Sequence, residues 1–139
     1  MALQLEDRLE IQDLYARYCH AIDAGDGEGW ANCFTKDGTF VPSVGSSAGR
    51  SFAGHEALAA FAANPNRRKR RHWTSNILLV ERDGFVEGTC YALLIDVGGS
   101  QPEIAASFAY RDELVREAGT WKFRARRHHR DVEKGQAKP

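Results

Sequence analysis

Apolar residues recur at steps of three and four along the first part of the chain. From about Leu5 to Asp23 the recurring positions are Leu5, Leu9, Ile11, Leu14, Tyr15, Tyr18, Cys19 and Ile22. This spacing is the period of an α-helix with one buried face, and Gly25 and Gly27 end the pattern. The chain is therefore predicted to begin with a long helix that carries Tyr18 and Asp23 near its C-terminal end.

Glycine, aspartate and proline punctuate the next part of the chain, so short elements are predicted there. Lys36-Asp37-Gly38 predicts the turn into a strand. Asn64-Pro65-Asn66 predicts the end of a helix, because proline lacks a backbone donor and restricts the residue before it. The expected elements are a helix over Glu28 to Phe34, a strand over Thr39 to Val41, a loop over residues 45–49 and a helix over His55 to Phe61.

Beyond residue 68 the pattern changes to long segments rich in β-branched and aromatic residues. Turn residues at 82–84, 98–100 and 117–119 separate these segments, which indicates an antiparallel meander. Helices followed by a strongly curved sheet of long strands favour an α+β fold with the helices packed on one face. The predicted strands are Arg71 to Glu81, Phe85 to Val97, Ile104 to Arg116 and Thr120 to Arg130.

The length of the chain predicts a single domain. With 139 residues, of which 42% are hydrophobic, the chain can bury one sizeable core, and no second domain fits. We therefore expect one domain over residues 1–132. The remaining segment, 133–139, is polar and ends in proline, so it is predicted to be disordered.

The charge balance argues against nucleic acid and membranes as partners. Lys plus Arg total 19 and Asp plus Glu total 19, so the formal net charge is zero and no long-range field attracts such partners. The basic run at 67–71 contains no aromatic residue that could stack on a base. Arginine and lysine at a cavity mouth could instead hold an anionic substituent of a ligand, such as a carboxylate or the phosphate of a thioester carrier.

The N-terminus and the cysteines indicate a cytoplasmic protein without metal or cofactor. The opening MALQLEDRLE has acidic residues where a signal peptide needs basic ones, and no run of apolar residues is long enough to span a bilayer. Cys19, Cys33 and Cys90 form no C-x-x-C pair, which argues against disulfides and structural zinc. No two-His-plus-carboxylate spacing occurs on one element, so no metal is expected.

A set of ionisable residues is predicted to meet on these elements. Tyr18 and Asp23 stand near the end of the first helix, while His72, Asp96 and Arg130 stand on three later strands. A carboxylate, an imidazole and a phenol that meet in an apolar cup are the parts of an acid/base site. The sequence thus favours a small enzyme.

Strand alternation supports this grouping, because successive side chains point to opposite faces of a sheet. His72, Thr74 and Asn76 form a polar row that would be costly in a dry core unless it faces a site or is hydrogen-bonded. A cavity inside a curved sheet also needs small residues. The positions expected to face it are Cys90, Ala92, Leu94 and Asp96 on one strand and Ala105, Ser107 and Ala109 on the next.

The outer face of the predicted sheet is strongly apolar. Its expected members are Trp73, Ile77, Leu79, Tyr91, Leu93, Ile95, Phe108 and Tyr110. This is more apolar surface than a soluble monomer usually exposes. A homodimer or higher oligomer, packed sheet to sheet, is therefore expected.

Each candidate residue also has a purely structural interpretation. The alternatives are a helix-end role for Asp23, a core role for Tyr18, an edge-strand position for His72, a turn role for Asp96 and continuation of an exposed basic strand for Arg130. His128-His129 is interpreted as a solvated strand end rather than a metal site.

Several stretches of the chain resemble one known family. They are Ile11-Gln12-Asp13-Leu14-Tyr15-x-x-Tyr18-x-x-x-x-Asp23, Trp30-x-x-Cys33-Phe34-Thr35-x-Asp37-Gly38, His72-x-x-x-Asn76 and Gly119-Thr120-Trp121-Lys122-Phe123. With them the chain, from Ile11 to about Arg130, is similar to the nuclear transport factor 2-like, or SnoaL-like, α+β cone family. The resemblance implies a cone-like, curved antiparallel sheet whose N-terminal helices enclose a pocket.

This family hosts dehydratases, isomerases, cyclases, epoxide hydrolases, a dehydrochlorinase and non-catalytic binding proteins, so the fold alone does not define the chemistry. The dehydratase-like members resemble the chain most closely at the site. Asp23 and His72 fall where scytalone dehydratase and hexachlorocyclohexane dehydrochlorinase keep an Asp/His pair whose histidine removes a proton. Tyr18 and Arg130 resemble positions used by bile-acid 7α-dehydratase.

The remaining site positions also come from this resemblance. Asp96 stands where scytalone dehydratase has a second histidine, and the change removes one candidate proton donor. Ser107 resembles a pocket serine of that enzyme. Together with Arg130, Asn76 and Trp30, it is expected to contact the substrate.

These observations lead to one hypothesis and three alternatives. The hypothesis is a cofactor-independent lyase or isomerase that acts on a hydrophobic cyclic small molecule, with His72 as base, Asp23 as its partner, and Tyr18 with Asp96 or Arg130 assisting at oxygen. The alternatives are an epoxide hydrolase that activates water through Asp23 or Asp96, a polyketide cyclase, and a non-catalytic domain that binds a small molecule or a partner.

Overall fold

The helices of the protein precede its long strands, as the sequence predicts. The structure, a computed structural model, describes residues 2–132, so the expectation of a disordered tail at 133–139 lies outside the described residues. The helices are α1 (Leu5–Ala24), α2 (Gly27–Ala31) and α3 (His55–Ala62), and a 3₁₀ turn (Pro65–Lys69) follows α3. The strands are β1 (Phe34–Val41), β2 (Phe52–Ala53), β3 (Arg70–Glu81), β4 (Val86–Asp96), β5 (Glu103–Glu117) and β6 (Thr120–Arg130).

The strands form one curved, unclosed sheet in the order β2-β1-β6-β5-β4-β3. The four strands β3 to β6 pair antiparallel with their chain neighbours, which confirms the predicted meander. β1 lies parallel to β6, so the sheet is mixed rather than wholly antiparallel. The N-terminal helices pack on the sheet, and the predicted α+β cone fold is confirmed.

The predicted boundary between α2 and β1 is wrong. Phe34 was expected at the end of a helix, but it begins β1 and pairs with Phe123 of β6. The register then shifts, and regular pairing resumes at Thr39 opposite Ala125. Residues 36–38, which resemble a turn in sequence, therefore form an irregularity inside β1. A pattern of turn residues does not distinguish such an irregularity from a turn.

The C-terminal end of α1 is fixed by Gly25. This residue has φ 70°, and its N–H donates to the Ile22 carbonyl at 3.1 Å. A Cβ at this position would lie 2.8 Å from the Asn64 carbonyl oxygen, so both the left-handed backbone and the close approach favour glycine. The turn holds Asp23 in the last turn of α1, against the start of β3.

The predicted inner face of β5 is wrong by one residue. Phe108 and Tyr110 are buried beneath the helices, whereas Ser107 is exposed. The pairing with β4 shifts between Leu94 and Ile95, which leaves Ala105 as the extra residue. Large aromatic side chains therefore occupy the concave face of β5. Their volume fills the core under α1, which the small residues predicted for this face would leave poorly packed.

The outer face of the sheet is apolar, but less so than predicted. The exposed large apolar residues on the sheet are Trp73 (64%), Leu78 (62%), Tyr91 (63%) and Ile104 (66%). Ile77 and Leu79 instead pack against the core, because β3 changes register between Ser75 and Leu78. Ile95 is also buried. Among the described residues, no helix is long and apolar enough to cross a bilayer.

Candidate active site

Asp23 and His72 contact each other through two hydrogen bonds. The Nδ1 atom of His72 lies 2.6 Å from Oδ1 of Asp23, and the backbone N–H of His72 donates to Oδ2 at 3.0 Å. Each side chain is 13% exposed, so the pair is largely shielded from water while remaining accessible. The predicted contact between the end of the first helix and the first long strand is confirmed.

This arrangement fixes the tautomer of His72. An ionised Asp23 can only accept a hydrogen bond, so Nδ1 of His72 carries the proton that it donates. The lone pair of the neutral ring then lies on Nε2. Within residues 2–132, Nε2 has no hydrogen-bond partner. The imidazole is therefore oriented by one nitrogen and able to accept a proton with the other.

A cavity of about 630 Å³ opens beside His72. Tyr18 and Arg130, two other predicted site residues, also line it, and Phe108 and Tyr110 supply apolar walls. Small-molecule sites typically have volumes of roughly 300–1,000 Å³. The cavity is thus large enough for a compound of two or three fused rings.

Tyr18 presents a neutral phenol to this cavity. Its side chain is 1% exposed, and burial raises its pKa well above the usual value although nearby Arg126 opposes the shift. The Cζ atom of Arg126 lies 4.2 Å from the centroid of the Tyr18 ring. The hydroxyl therefore keeps its proton and can serve as a hydrogen-bond donor to a ligand oxygen.

A buried ion pair lies beneath Tyr18. The Nε of Arg126 donates to Oδ1 of Asp112 at 2.9 Å, and the Tyr15 hydroxyl donates to Oδ2 at 2.5 Å; both charged side chains are 0% exposed. Burial is the largest single influence and acts to lower the pKa of Arg126, but Asp112 together with Tyr110, Tyr18 and Cys90 raises it, and the net shift is upward. A Cβ at Gly88 would overlap the Tyr15 hydroxyl, so glycine makes room for this network.

Aromatic faces enclose the guanidinium group of Arg126. Its Cζ atom lies 3.5 Å from the ring centroid of Tyr110 and 4.5 Å from that of Phe123. Such cation–π contacts partly replace the water that the cation gives up. The Arg126 side chain, held by Asp112, therefore packs against the rings of Tyr18 and Tyr110 and sets their position.

His128 is a cavity residue that the sequence analysis missed. It was expected at a solvated strand end, but it is 5% exposed and lines the cavity. Its Nδ1 accepts the Ser43 backbone N–H at 3.0 Å and lies 2.6 Å from the Ser43 hydroxyl. Because a backbone N–H can only donate, the neutral ring carries its proton on Nε2.

The burial of His128 has a measurable consequence. Burial and, next, the charge of Arg126 lower its pKa to about 3. An unfolded histidine titrates near pH 6.5, so between these values the unfolded state binds more protons and stability falls as the pH falls. One such proton contributes a slope of up to about 1.4 kcal/mol per pH unit.

His128→Gln is accordingly expected to reduce the acid sensitivity of folding. Urea unfolding at a series of pH values between about 6.5 and 4 should give a shallower slope for this variant than for the native protein. His129→Gln, at the exposed neighbouring position, should keep the native slope. Equal slopes for native protein and His128→Gln would contradict a neutral, buried His128.

One irregularity in β6 explains why the inward positions of Arg126 and His128 could not be predicted from the sequence. The pairing of β5 with β6 shifts between Glu113 and Leu114, so Arg124 is an extra residue in β6. Before the shift Trp121 and Phe123 are buried, and after it the buried positions become Arg126 and His128. A strict alternation from Trp121 therefore assigns both residues to the wrong face.

Asp96 lies away from the Asp23–His72 pair. Its carboxylate is 3.6 Å from Nε of Arg70 and accepts the backbone N–H of Gly98 at 2.9 Å. It borders a separate surface cleft with Lys69 and Glu103. Asp96 is the last residue of β4, and its carboxylate binds the turn that follows, so the structure does not bring it into the cavity with Tyr18.

Ser107, Asn76 and Trp30 also lie outside the large cavity. Ser107 is on the outer face of β5 and donates to the Asp131 carboxylate. Asn76 is exposed, with φ 58°, where the register of β3 shifts. Trp30 is 0% exposed and packs in the core with its ring 5.3 Å from that of Tyr18.

A second cleft, of about 490 Å³, also includes His72. Its other members include Thr74, which lies beside Cys19 of α1, and the outer-face residues Trp73, Tyr91 and Ser107. The larger cavity is the better candidate site, because Tyr18, His72, His128 and Arg130 converge on it. Among residues 2–132, no cluster of three or more His, Cys, Asp or Glu side chains has an arrangement that could hold a metal ion.

Sequence and structure comparisons relate the chain to known proteins. Residues 3–127 match the profile of the SnoaL-like domain. No curated protein matches the chain significantly. Among solved structures, the chain is similar to Rv3472, a protein of unknown function from Mycobacterium tuberculosis, with 31% identity, a TM-score of 0.79 and coverage of 96% of this chain and 80% of that one.

Two further similar structures come from actinomycete proteins. ActVI-ORFA from Streptomyces coelicolor shares 28% identity, with a TM-score of 0.77 and coverage of 89% of this chain and 96% of that one. A protein from Catenulispora acidiphila, solved in complex with S-DNPA, shares 28% identity, with a TM-score of 0.74 and coverage of 90% and 95%. The similarity therefore extends over about nine-tenths of this chain in each case.

Proposed function

The chain belongs to the family of SnoaL-like domains, and on that premise we propose that it is a cofactor-independent lyase or isomerase acting on a hydrophobic cyclic compound. The observation that carries this proposal is the Asp23–His72 pair, in which Asp23 engages Nδ1 and the histidine lines a cavity with apolar walls. The similar protein from Catenulispora acidiphila was solved in complex with S-DNPA, which supports a ligand-binding role for this chain.

In the proposed reaction His72 is the general base. Its Nε2 takes a proton from carbon, and Asp23 stabilises the imidazolium that forms. The electrons of the broken C–H bond form a carbon–carbon double bond as the neighbouring C–O bond breaks. The proton held by His72 then joins the departing hydroxide as water. In an isomerisation no C–O bond breaks: the electrons of the broken C–H bond instead pass to the oxygen of an adjacent carbonyl group as an enolate, and His72 returns the proton to another carbon of that enolate.

Two neutral donors are suited to the oxygen of the reacting compound. The Tyr18 hydroxyl and the Nε2–H of His128 both belong to cavity-lining side chains that keep their protons at neutral pH. Hydrogen bonds from such donors stabilise negative charge as it develops on oxygen. From the sequence, Tyr18 was expected to assist at this oxygen together with Asp96 or Arg130. In the present proposal His128 is the second donor beside Tyr18.

The proposal is tested by a turnover screen. Bicyclic and tricyclic β-hydroxy ketones are incubated with native protein and with His72→Gln, and mass spectrometry follows the loss of water. We expect native protein, and not the variant, to dehydrate at least one compound. Binding of these compounds without any chemical change, equally by both proteins, would favour the alternative of a non-catalytic binding domain.

The exposed outer face supports a second proposal, that the protein forms a homodimer through its sheet. Trp73 and Tyr91 stand on neighbouring strands, 64% and 63% exposed. Apolar area of this kind is normally covered in water. Light scattering should give a dimer for native protein and a smaller mass for a Trp73→Glu/Tyr91→Glu variant, whereas Leu9→Glu, at an exposed α1 position, should remain dimeric. A native monomer at micromolar concentration would contradict the proposal.

A cytoplasmic location and independence from metal and cofactor, both expected from the sequence, stay predictions.

A further inference from the structure

Three arginines line the candidate cavity, and they differ in how their charges are balanced. Arg70 lies near the Asp96 carboxylate, with 3.6 Å between Nε and Oδ2. For Arg67 and Arg130, no carboxylate of residues 2–132 lies within 4.0 Å. Asp23, the nearest acidic partner of the base, uses both of its oxygens on His72. The cavity therefore holds more positive than negative charge.

Arg67 is held in place without a carboxylate. Its Nη2 donates to the Phe61 carbonyl at 2.7 Å, and its Cζ atom lies 4.5 Å from the centroid of the Phe61 ring. Its Nε is buried and has no partner among the described residues. Burial also lowers the pKa of Arg67, while Tyr18 and Asp23 act in the opposite direction; an arginine side chain in a protein stays protonated near neutral pH. Among the described residues Nη1 donates no hydrogen bond, and the Arg67 side chain lines the cavity.

A partly buried cation with no carboxylate in contact is unfavourable until an anion binds. Desolvation of the guanidinium group has a cost that one backbone carbonyl offsets only in part. Arginine and a carboxylate form charge-assisted hydrogen bonds in a planar geometry, and these bonds are stronger than neutral ones. The cavity combines such a cation with apolar walls of Phe61 and Phe108.

We propose that the cavity selects cyclic compounds that carry a carboxylate, and that the Arg67 guanidinium group binds that carboxylate with Arg130 as a second cation. The inference names the substrate class of the acid/base site and depends on the proposed function only for the assignment of this cavity as the site. A carboxylate at Arg67 and a ring against Phe108 leave the rest of the ligand near His72, which lines the same cavity.

The first test compares matched ligands that differ in charge. Titration calorimetry measures the affinity of native protein for a panel of aromatic carboxylates and their amides, beginning with 2-naphthoate and 2-naphthamide. We expect the carboxylates to bind roughly tenfold to a hundredfold more tightly than their amides, the range for a hydrogen-bonded charge. A panel in which no carboxylate binds more tightly than its amide would overturn the proposal.

The second test assigns the preference to Arg67. Arg67→Gln should lose the preference for carboxylate while keeping its affinity for amide, and Arg67→Lys should keep part of it. Arg68→Gln is the matched control. It removes the same charge one position further along the chain, from a side chain that is exposed. If Arg67→Gln does not fold, salt provides the measurement: high ionic strength should weaken native binding of 2-naphthoate and not of 2-naphthamide.

The third test separates this proposal from the proposed reaction. His72→Gln should bind 2-naphthoate with the native preference over 2-naphthamide, because the carboxylate is held by Arg67 and not by the base. If His72→Gln loses catalysis but keeps the preference for 2-naphthoate over 2-naphthamide, the proposed substrate class is supported even if the elimination chemistry is wrong. An Arg67→Gln variant with the native preference would overturn the anion site whatever His72 does.

Discussion

His72→Gln is expected to lower the turnover number about a hundred- to ten-thousand-fold, the usual contribution of a positioned general base. Glutamine cannot accept a proton from carbon, although it can still donate a hydrogen bond to Asp23. Far-UV circular dichroism should show an unchanged fold. Steady-state kinetics with the compound identified in the turnover screen measure the effect, and His129→Gln, an exposed histidine on β6, serves as the control.

Asp23→Asn extends the same prediction to the partner of the base. An amide does not stabilise the imidazolium, and it can present its NH₂ group where Oδ1 now accepts from His72. We expect turnover to fall nearly as far as in His72→Gln. Variants at Asp23 and His72 that both turn over at the native rate would show that the pair only joins α1 to β3.

The largest expected effect on stability comes from the buried pair of Asp112 and Arg126. Asp112→Asn leaves a fully buried guanidinium group without its counter-ion, and breaking such a pair costs about 3–5 kcal/mol. Since a domain of this size has only about 5–15 kcal/mol of stability, the variant should lose much of it. Urea unfolding measures the change in the free energy of unfolding.

A double variant provides the control for this second prediction. Asp112→Leu combined with Arg126→Met removes both charges and keeps apolar volume, so it should be more stable than Asp112→Asn alone. Glu113→Gln, which removes a carboxylate from an exposed pair with Arg124, should change stability by less than about 1 kcal/mol. An Asp112→Asn variant as stable as the native protein would mean that water reaches the Arg126 guanidinium group.

The sequence predicted the helices and long strands well because their signals are local. The three- and four-residue period of α1 and the left-handed Gly25 that ends it are properties of a short stretch of chain. The parallel pairing of β1 with β6 depends instead on residues far apart in sequence. No local pattern carries that information, and the turn-like residues at 36–38 pointed to a different structure.

The same distinction applies to the site. Asp23 and His72 were correctly expected to meet, since both stand at ends of elements that the family resemblance brings together. His128 was expected at a solvated strand end, and strict alternation from Trp121 would also have placed it outside, because the extra residue at Arg124 reverses the alternation of β6. A single bulge exchanges the two faces of a strand, and its position is set by pairing with the neighbouring strand rather than by composition.

The central claim is that His72, oriented by Asp23, removes a proton from carbon inside the cavity. Hydrogen–deuterium exchange tests this step without knowledge of the natural substrate. A panel of cyclic ketones, beginning with α-tetralone, is incubated with protein in deuterated buffer, and NMR follows the carbon-bound protons next to the carbonyl group. We predict exchange faster than in buffer with native protein and no acceleration with His72→Gln. Acceleration that is equal for native protein and His72→Gln, or absent for every ketone that binds, would contradict the claim.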